Sequence, residues 1–153
     1  MGLLSDIQDA LAARLETIVV ANGYSTEVKA VYFDKIPMAT QLDPHQLPAI
    51  LLLFNAVEIE KIVGCNRTKA IFEIQCINVG ESTDKEMISF TSDVYKAVFY
   101  NSSIDTTLAF RDMNSAIYDI DSPGIEYDLN MIEANRFAMI NLQIIFNSQF
   151  HNL

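Results

Sequence analysis

Along the first twenty residues, Leu4, Ile7, Leu11, Leu15, Ile18 and Val19 recur at steps of three and four, which predicts a helix from about Ser5 to Ala21 with one apolar face. Asp6, Gln8, Asp9 and Glu16 fall largely off that stripe. Ser5 followed by Gln8 has the spacing of a capping box, and Asn22-Gly23 supplies the stop, with Gly23 suited to a left-handed position. The period then changes. β-Branched and aromatic residues from Glu27 to Phe33 predict a short strand. The stretch from Asp34 to Pro48 holds three of the four prolines and reads as a loop or an interrupted edge strand. Ala49 to Val57 is almost unbroken in its apolar character, as in a strand covered on both faces in the middle of a sheet. After a turn containing Gly64 and Asn66, the run from Thr68 to Asn78 alternates. Ala70, Phe72, Ile74 and Cys76 share one side, and Lys69, Ile71, Glu73 and Gln75 the other.

Thr83 and Glu86 form a second capping box, opening a helix from Ser82 to about Tyr100 whose stripe is Met87, Phe90, Val94 and Val98. Two more strands are expected, a short one near Ser115 to Ile120 and a long one from Asn135 to Asn147, in which Ala138, Ile140, Leu142, Ile144 and Phe146 alternate with polar and mixed positions. The order is αβββαββ. It predicts an α+β fold, a single mixed and mainly antiparallel sheet with two principal helices packed on it, spanning 1–153 as one domain. A chain of 153 residues is long enough for one core and too short for two.

Charge changes the picture more than length does. The chain is 50% hydrophobic, which excludes a disordered acidic tail, yet it carries a formal net charge of −10. A broad phosphate-binding face is therefore disfavoured. Met1 to Asp6 has neither the basic stretch nor the apolar core of a signal peptide, so the chain is expected to stay where it is made. The longest apolar run, Ala49 to Phe54, is far below the ~20 residues that span a bilayer, and no membrane partner is expected. Cys65 and Cys76 then read as thiols, Cys76 as a small core side chain between isoleucines.

Motifs for chemistry are sparse. The five glycines are too scattered for a phosphate-cradling loop, and His45 and His151 have no metal-ligating neighbours at the right spacing, so no cofactor or metal is expected. Asp119 to Gly124 begins like a calcium loop but has Pro123 at the fifth place and Asn130 at the twelfth, which leaves an acidic turn joining two strands. Between Asp105 and Glu133 there are seven acids against the single cation Arg111, a local net of −6. Lys61, Arg67 and Lys69 gather around the turn before the alternating strand. Such a bipolar subunit is suited to head-to-tail association into a closed ring.

Several segments together resemble a known family. They are the amphipathic N-terminal helix with Ile7, Leu11 and Leu15; Ala21-Asn22-Gly23-Tyr24-Ser25-Thr26; Val28 and Val31-Tyr32; and Leu47-Pro48-Ala49-Ile50-Leu51. After them come Glu58 and Glu60 near a turn, Arg67 at the head of a strand, and a late helix with Asp93 and Val98. This order is similar to that of the tail terminator, or tail completion, proteins of long-tailed bacteriophages, over most of the chain. The resemblance implies a non-enzymatic virion protein, made in the host cytoplasm and located at the tail–neck junction. It implies a homo-hexameric ring that caps the tail tube protein, stops polymerisation, meets the tail sheath protein in a contractile tail, and presents a docking surface to the neck and connector proteins.

The family brings no catalytic residues, and its ring contacts are not carried by a short motif. From charge, Asp112, Asp119, Asp121, Glu126 and Asp128 are expected to line the lumen or the seam between subunits, with Lys61, Arg67 and Lys69 as interface candidates. Genome DNA would pass such a wall without specific binding. Ile71, Met139 and Ile145, on nominally outer sheet faces, are expected to need a covering partner or helix. Two other functions compete: another neck component, such as a head–tail joining or head completion protein, and a small enzyme built on a carboxylate pair such as Asp119 and Asp121.

Overall fold

The computed structural model describes residues 2–33, 35, 37, 42–99, 117–132 and 135–148, with backbone alone at 65, 117–118, 128–132 and 148. One five-stranded sheet carries two helices, an α+β fold with the expected order of elements. The helices are α1 (Leu3–Leu15) and α2 (Asp84–Phe99), and the strands are β1 (Ala30–Tyr32), β2 (Ala49–Ile62), β3 (Cys65–Val79), β4 (Ile117–Ile132) and β5 (Asn135–Ser148). Across the sheet the order is β1-β2-β3-β5-β4. β1 runs parallel to β2, and every other neighbouring pair is antiparallel.

Both helices lie on one face. Ile7, Leu11 and Leu15 of α1 and Met87, Phe90, Val94 and Val98 of α2 join the sheet residues Ile50, Leu52, Phe72, Ile74, Ile140, Leu142 and Phe146 in one buried cluster. The alternation predicted in β3 and β5 is the cause: Ala70, Phe72, Ile74 and Cys76, and Ala138 to Phe146 by twos, are all buried. On the opposite face a smaller cluster of Leu42, Leu47, Ala49, Leu51 and Ile77 forms beneath the proline-bearing segment, which includes a short 3-10 helix, Pro44–Gln46. Among the described residues this segment is the only one packed on that face. Nothing else among the described residues covers this face, and Ile71, Met139 and Ile145 lie half-buried in it beside their strand neighbours.

Several predicted boundaries move. α1 ends at Leu15 rather than near Ala21. The Thr17 hydroxyl donates to the Arg14 carbonyl at 2.6 Å, and the β-branched run that follows leaves the helical path before a 3-10 turn at Val20–Asn22. Gly23, at φ 91°, closes that turn instead of α1. The N-cap of α1 is Gly2, with no side-chain hydrogen bond, so the Ser5–Gln8 capping box does not form. Thr83 does cap α2: its Oγ1 accepts the Glu86 N–H at 3.1 Å. β1 is shorter than predicted, and β2 runs on to Ile62.

β2 is covered on both faces only from Ala49 to Leu52, and β1 pairs with it only at Ala49, Ile50 and Leu51, so its outer half is an edge rather than a central strand. The largest correction is β4. The acidic stretch Asp119 to Gly124, read as a turn joining two strands, lies inside one long strand interrupted by a bulge between Asp121 and Gly124.

Candidate interaction surfaces

β4 owes its acidic side to that bulge. Asp119 pairs with Ile145 and Asp121 with Gln143 on the open face. By strict alternation Glu126 would point the other way, but the extra residue resets the phase, and Glu126 lies opposite Met139 on the same open face. Asp119, Asp121 and Glu126 are all exposed there. The backbone of Asp128 continues the register opposite Phe137, and Asp112 lies outside the described residues. Ser122 anchors the bulge. Its Oγ donates to the Asn141 carbonyl at 2.7 Å and lies 2.7 Å from the Tyr95 hydroxyl on α2. Pro123, which has no N–H to offer a ladder, occupies the irregular position in this edge strand.

The cations do not form a separate pole. On the open face, Lys69 stands across from Glu58 and Arg67 across from Glu60, and the Lys69 Nζ lies 3.8 Å from Glu58 Oε2. Lys69 shares a row with Asp119, with Ile145 of β5 between them, a separation of about 10 Å at the usual strand spacing. Acids therefore flank the basic pair on both sides. Lys61, opposite Asn66, belongs to the other face of the hairpin and is exposed.

Two features were given no structural role from the sequence, although Asp93 was named there. The first is a pair of buried charged residues between the helices and the loop after α1. Asp93 accepts the backbone N–H groups of Ser25 (3.1 Å) and Thr26 (2.8 Å), and Arg14 donates from Nε to the Ala97 carbonyl at 2.8 Å. Ala97 is in the last turn of α2, where carbonyls have no helical partner, so Arg14 acts as a cap from another element. The signal was present: Arg14 falls on the same stripe as Ile7, Leu11 and Ile18.

The second is a set of exposed apolar side chains at two corners of the sheet. Phe54, Ile59 and Val63 mark the β2–β3 hairpin, with Val63 fully exposed at 104%. Gly64, at φ 86°, completes the two-residue turn that puts Val63 at the tip. At the far corner, Met87, Ile88, Tyr127, Asp84 and Arg136 line a notch of about 360 Å³. The Tyr127 hydroxyl is tied to Thr91 Oγ1 at 2.6 Å, and Arg136 donates to Asp84 Oδ1 at 2.6 Å.

Reactive chemistry is not concentrated at either surface. Cys76 is fully buried in the core, and burial pushes its thiol well above the ordinary range. Among the described residues no group of three or more His, Cys, Asp or Glu is placed to hold a metal ion, and no helix is long and apolar enough to cross a membrane. No protein-family model matches the chain, and no protein of curated function matches it at a significant level.

Proposed function

We propose that this protein is a structural component of a bacteriophage tail, a terminator that assembles as a homo-hexameric ring on the end of the tail tube and offers the neck its docking surface. It works by assembly and not by catalysis. The observation that carries the reading is the one-sidedness of the sheet: both helices pack on one face, while the described residues leave much of the other uncovered, with Asp119, Asp121 and Glu126 exposed along its β4 edge. An open acidic sheet face is suited to a lumen. Coulomb repulsion between carboxylates and phosphates acts over a Debye length, about 8 Å at physiological salt, so only acids that face the passage keep DNA from adhering. The sequence resemblance to tail terminators supports the same assignment. In a contractile tail the rim of the ring would also meet the sheath.

The test is direct. Tail tubes assembled without their terminator, mixed with the purified protein, should stop growing and carry a six-fold ring at one end in electron micrographs. Tubes that continue to elongate would overturn the assignment.

A further inference from the structure

β4 meets α2 through two hydroxyl pairs of the same build. Each joins a tyrosine of one element to a short hydroxyl of the other: Tyr127 to Thr91 Oγ1 at 2.6 Å, and Tyr95 to Ser122 Oγ at 2.7 Å. In both pairs the tyrosine is the donor. A hydroxyl has one proton to give, and Thr91 gives its own to the Ile88 carbonyl at 3.0 Å while Ser122 gives its own to the Asn141 carbonyl at 2.7 Å. The two acceptors are thereby held in place by α2 itself and by β5.

Spacing makes these pairs sensitive to the phase of the strand. Thr91 and Tyr95 are four apart, about one helical turn, and share a side of α2. Ser122 and Tyr127 are five apart, and in a strand of strict alternation residues five apart face opposite sides of the sheet. Both reach α2 only because the bulge between Asp121 and Gly124 sets two residues of β4 against one of β5. The lengths agree as well. Asn141, which accepts from Ser122, and Ala138, opposite Tyr127, are about 10 Å apart along β5 at the usual rise, against about 6 Å from Thr91 to Tyr95 along α2. A tyrosine in each pair spans the difference.

Little else fixes the phase of β4. It is an edge strand with three breaks in register, and of its inward apolar residues Ile120 is buried and Ile125 only half-buried. An edge strand with so little covered on one face is prone to slip by a residue. Without the extra residue, Ile125 would stand opposite Met139 on the open face, and Glu126 opposite Ala138 on the helix side.

We infer that Thr91 and Tyr95 of α2 lock the phase of β4, and so position, from the far side of the sheet, the row of Asp119, Asp121 and Glu126. A strand that keeps its bulge satisfies both hydroxyl pairs; one that loses it satisfies one at most. The lock belongs to the fold of a single chain and is independent of the ring reading.

Paired cysteines read the phase directly. On a Cys65→Ser background, with Cys76 buried, Glu126→Cys and Met139→Cys stand opposite each other in the observed phase, whereas Ile125→Cys and Met139→Cys do so only in the slipped one. Under diamide, which takes up the two electrons that disulfide formation releases, the first pair should close rapidly and the second slowly. Thr91→Val with Tyr95→Phe removes both hydroxyls at nearly constant volume and should raise the closure rate of the second pair about tenfold or more, the weight of two hydrogen bonds. Thr91→Ser, which keeps a hydroxyl, should leave that rate near its locked value.

Circular dichroism and amide exchange in β3 check that the remaining fold is kept. If the double variant unfolds, Tyr95→Phe alone, which takes one oxygen from a half-buried ring, should still raise the rate about threefold. A second pair that closes at the same rate with and without the hydroxyls overturns the inference, and so does one that closes as fast as the first pair in the otherwise unaltered protein. Either result leaves the ring reading standing.

Discussion

The carboxylate of Asp93 accepts the backbone N–H of Thr26 at 2.8 Å, across 67 residues of sequence, and the same Oδ2 takes the Ser25 N–H as well. Asp93 is almost wholly buried, so these donors replace the water its charge would otherwise hold. The bond fixes the chain after the Asn22-Gly23 turn against α2 and thereby sets where β1 begins. Charge-assisted hydrogen bonds contribute about 1.5–3 kcal/mol each, and orphaned buried N–H groups add to the loss. Asp93→Ala is therefore expected to destabilise the fold by about 3 kcal/mol, a fall in thermal midpoint of roughly 10 °C for a domain of this size. Asp93→Asn, which keeps one acceptor oxygen, should lose less. Thermal unfolding by circular dichroism measures both, and an alanine variant within ~2 °C of wild type would refute this role for Asp93.

Arg14 is expected to be nearly as sensitive. Arg14→Met keeps much of the length and removes the donor that caps Ala97, leaving a buried carbonyl at the end of α2 without that partner. A loss of about 2 kcal/mol in urea unfolding, with an unchanged denaturant slope, is the expected result.

The pair Lys69–Glu58 should behave in the opposite way. Its side chains are 38% and 66% exposed and its atoms are 3.8 Å apart, so solvent screens most of the attraction. Glu58→Ala is expected to change stability by no more than about 0.5 kcal/mol. A change several times larger, in the same urea titration, would mean that the hairpin cations depend on this acid far more than the geometry indicates.

These contrasts show where the sequence is readable. Alternation in β3 and β5 identified the buried face residue by residue, because one face of each strand is covered along its length and a one-residue slip would expose it. The Thr83–Glu86 signal marked the start of α2 because capping is local chemistry. The end of α1 was misread because the apolar stripe runs on through Ile18, which stays buried after the helix has ended, held by a turn rather than by helical spacing. β4 was missed as a long strand because its bulge breaks the period of two at Ser122-Pro123, and an edge strand tolerates both the proline and the acids. That bulge also explains why the acidic side could be counted in the sequence but not assembled there. Asp119 and Glu126 have opposite parity and share a face only because one residue is extra. The tip and the notch were illegible for a different reason: Val63 and Ile88 look like ordinary apolar residues until burial is known.

The triple variant Asp119→Asn, Asp121→Asn, Glu126→Gln tests the lumen reading without disturbing the fold. All three acids are exposed, and the amide oxygen introduced by Asp119→Asn would still accept from the Ile120 N–H, which Asp119 Oδ1 binds at 2.9 Å. Thermal stability should change by less than ~2 °C. Tails capped by the variant should release DNA more slowly than wild type at low ionic strength. The difference should vanish near 1 M salt, where the Debye length is about 3 Å. Equal release rates at low salt would remove these acids from the DNA path.

Cys76 gives a pH dependence whose sign can be worked out. Its thiol is pushed up from an ordinary value of 9.0 by burial alone. Well below pH 9 the group is protonated in both the folded and the unfolded chain, and it contributes no pH dependence. Above that, the unfolded chain gives up the proton while the folded chain keeps it, so the unfolded state binds fewer protons and stability falls as pH rises, by at most about 1.4 kcal/mol per pH unit. Tyrosines and lysines titrate in the same range, so the informative quantity is the difference between wild type and Cys76→Ala. At pH 7 the alanine variant should be less stable by about 1 kcal/mol, for the packing it loses. That gap should close and then reverse between pH 9 and pH 11, because the wild type alone suffers the thiol's penalty and two pH units of it exceed about 1 kcal/mol; parallel curves across that range would show that the native thiol ionises as readily as a free one.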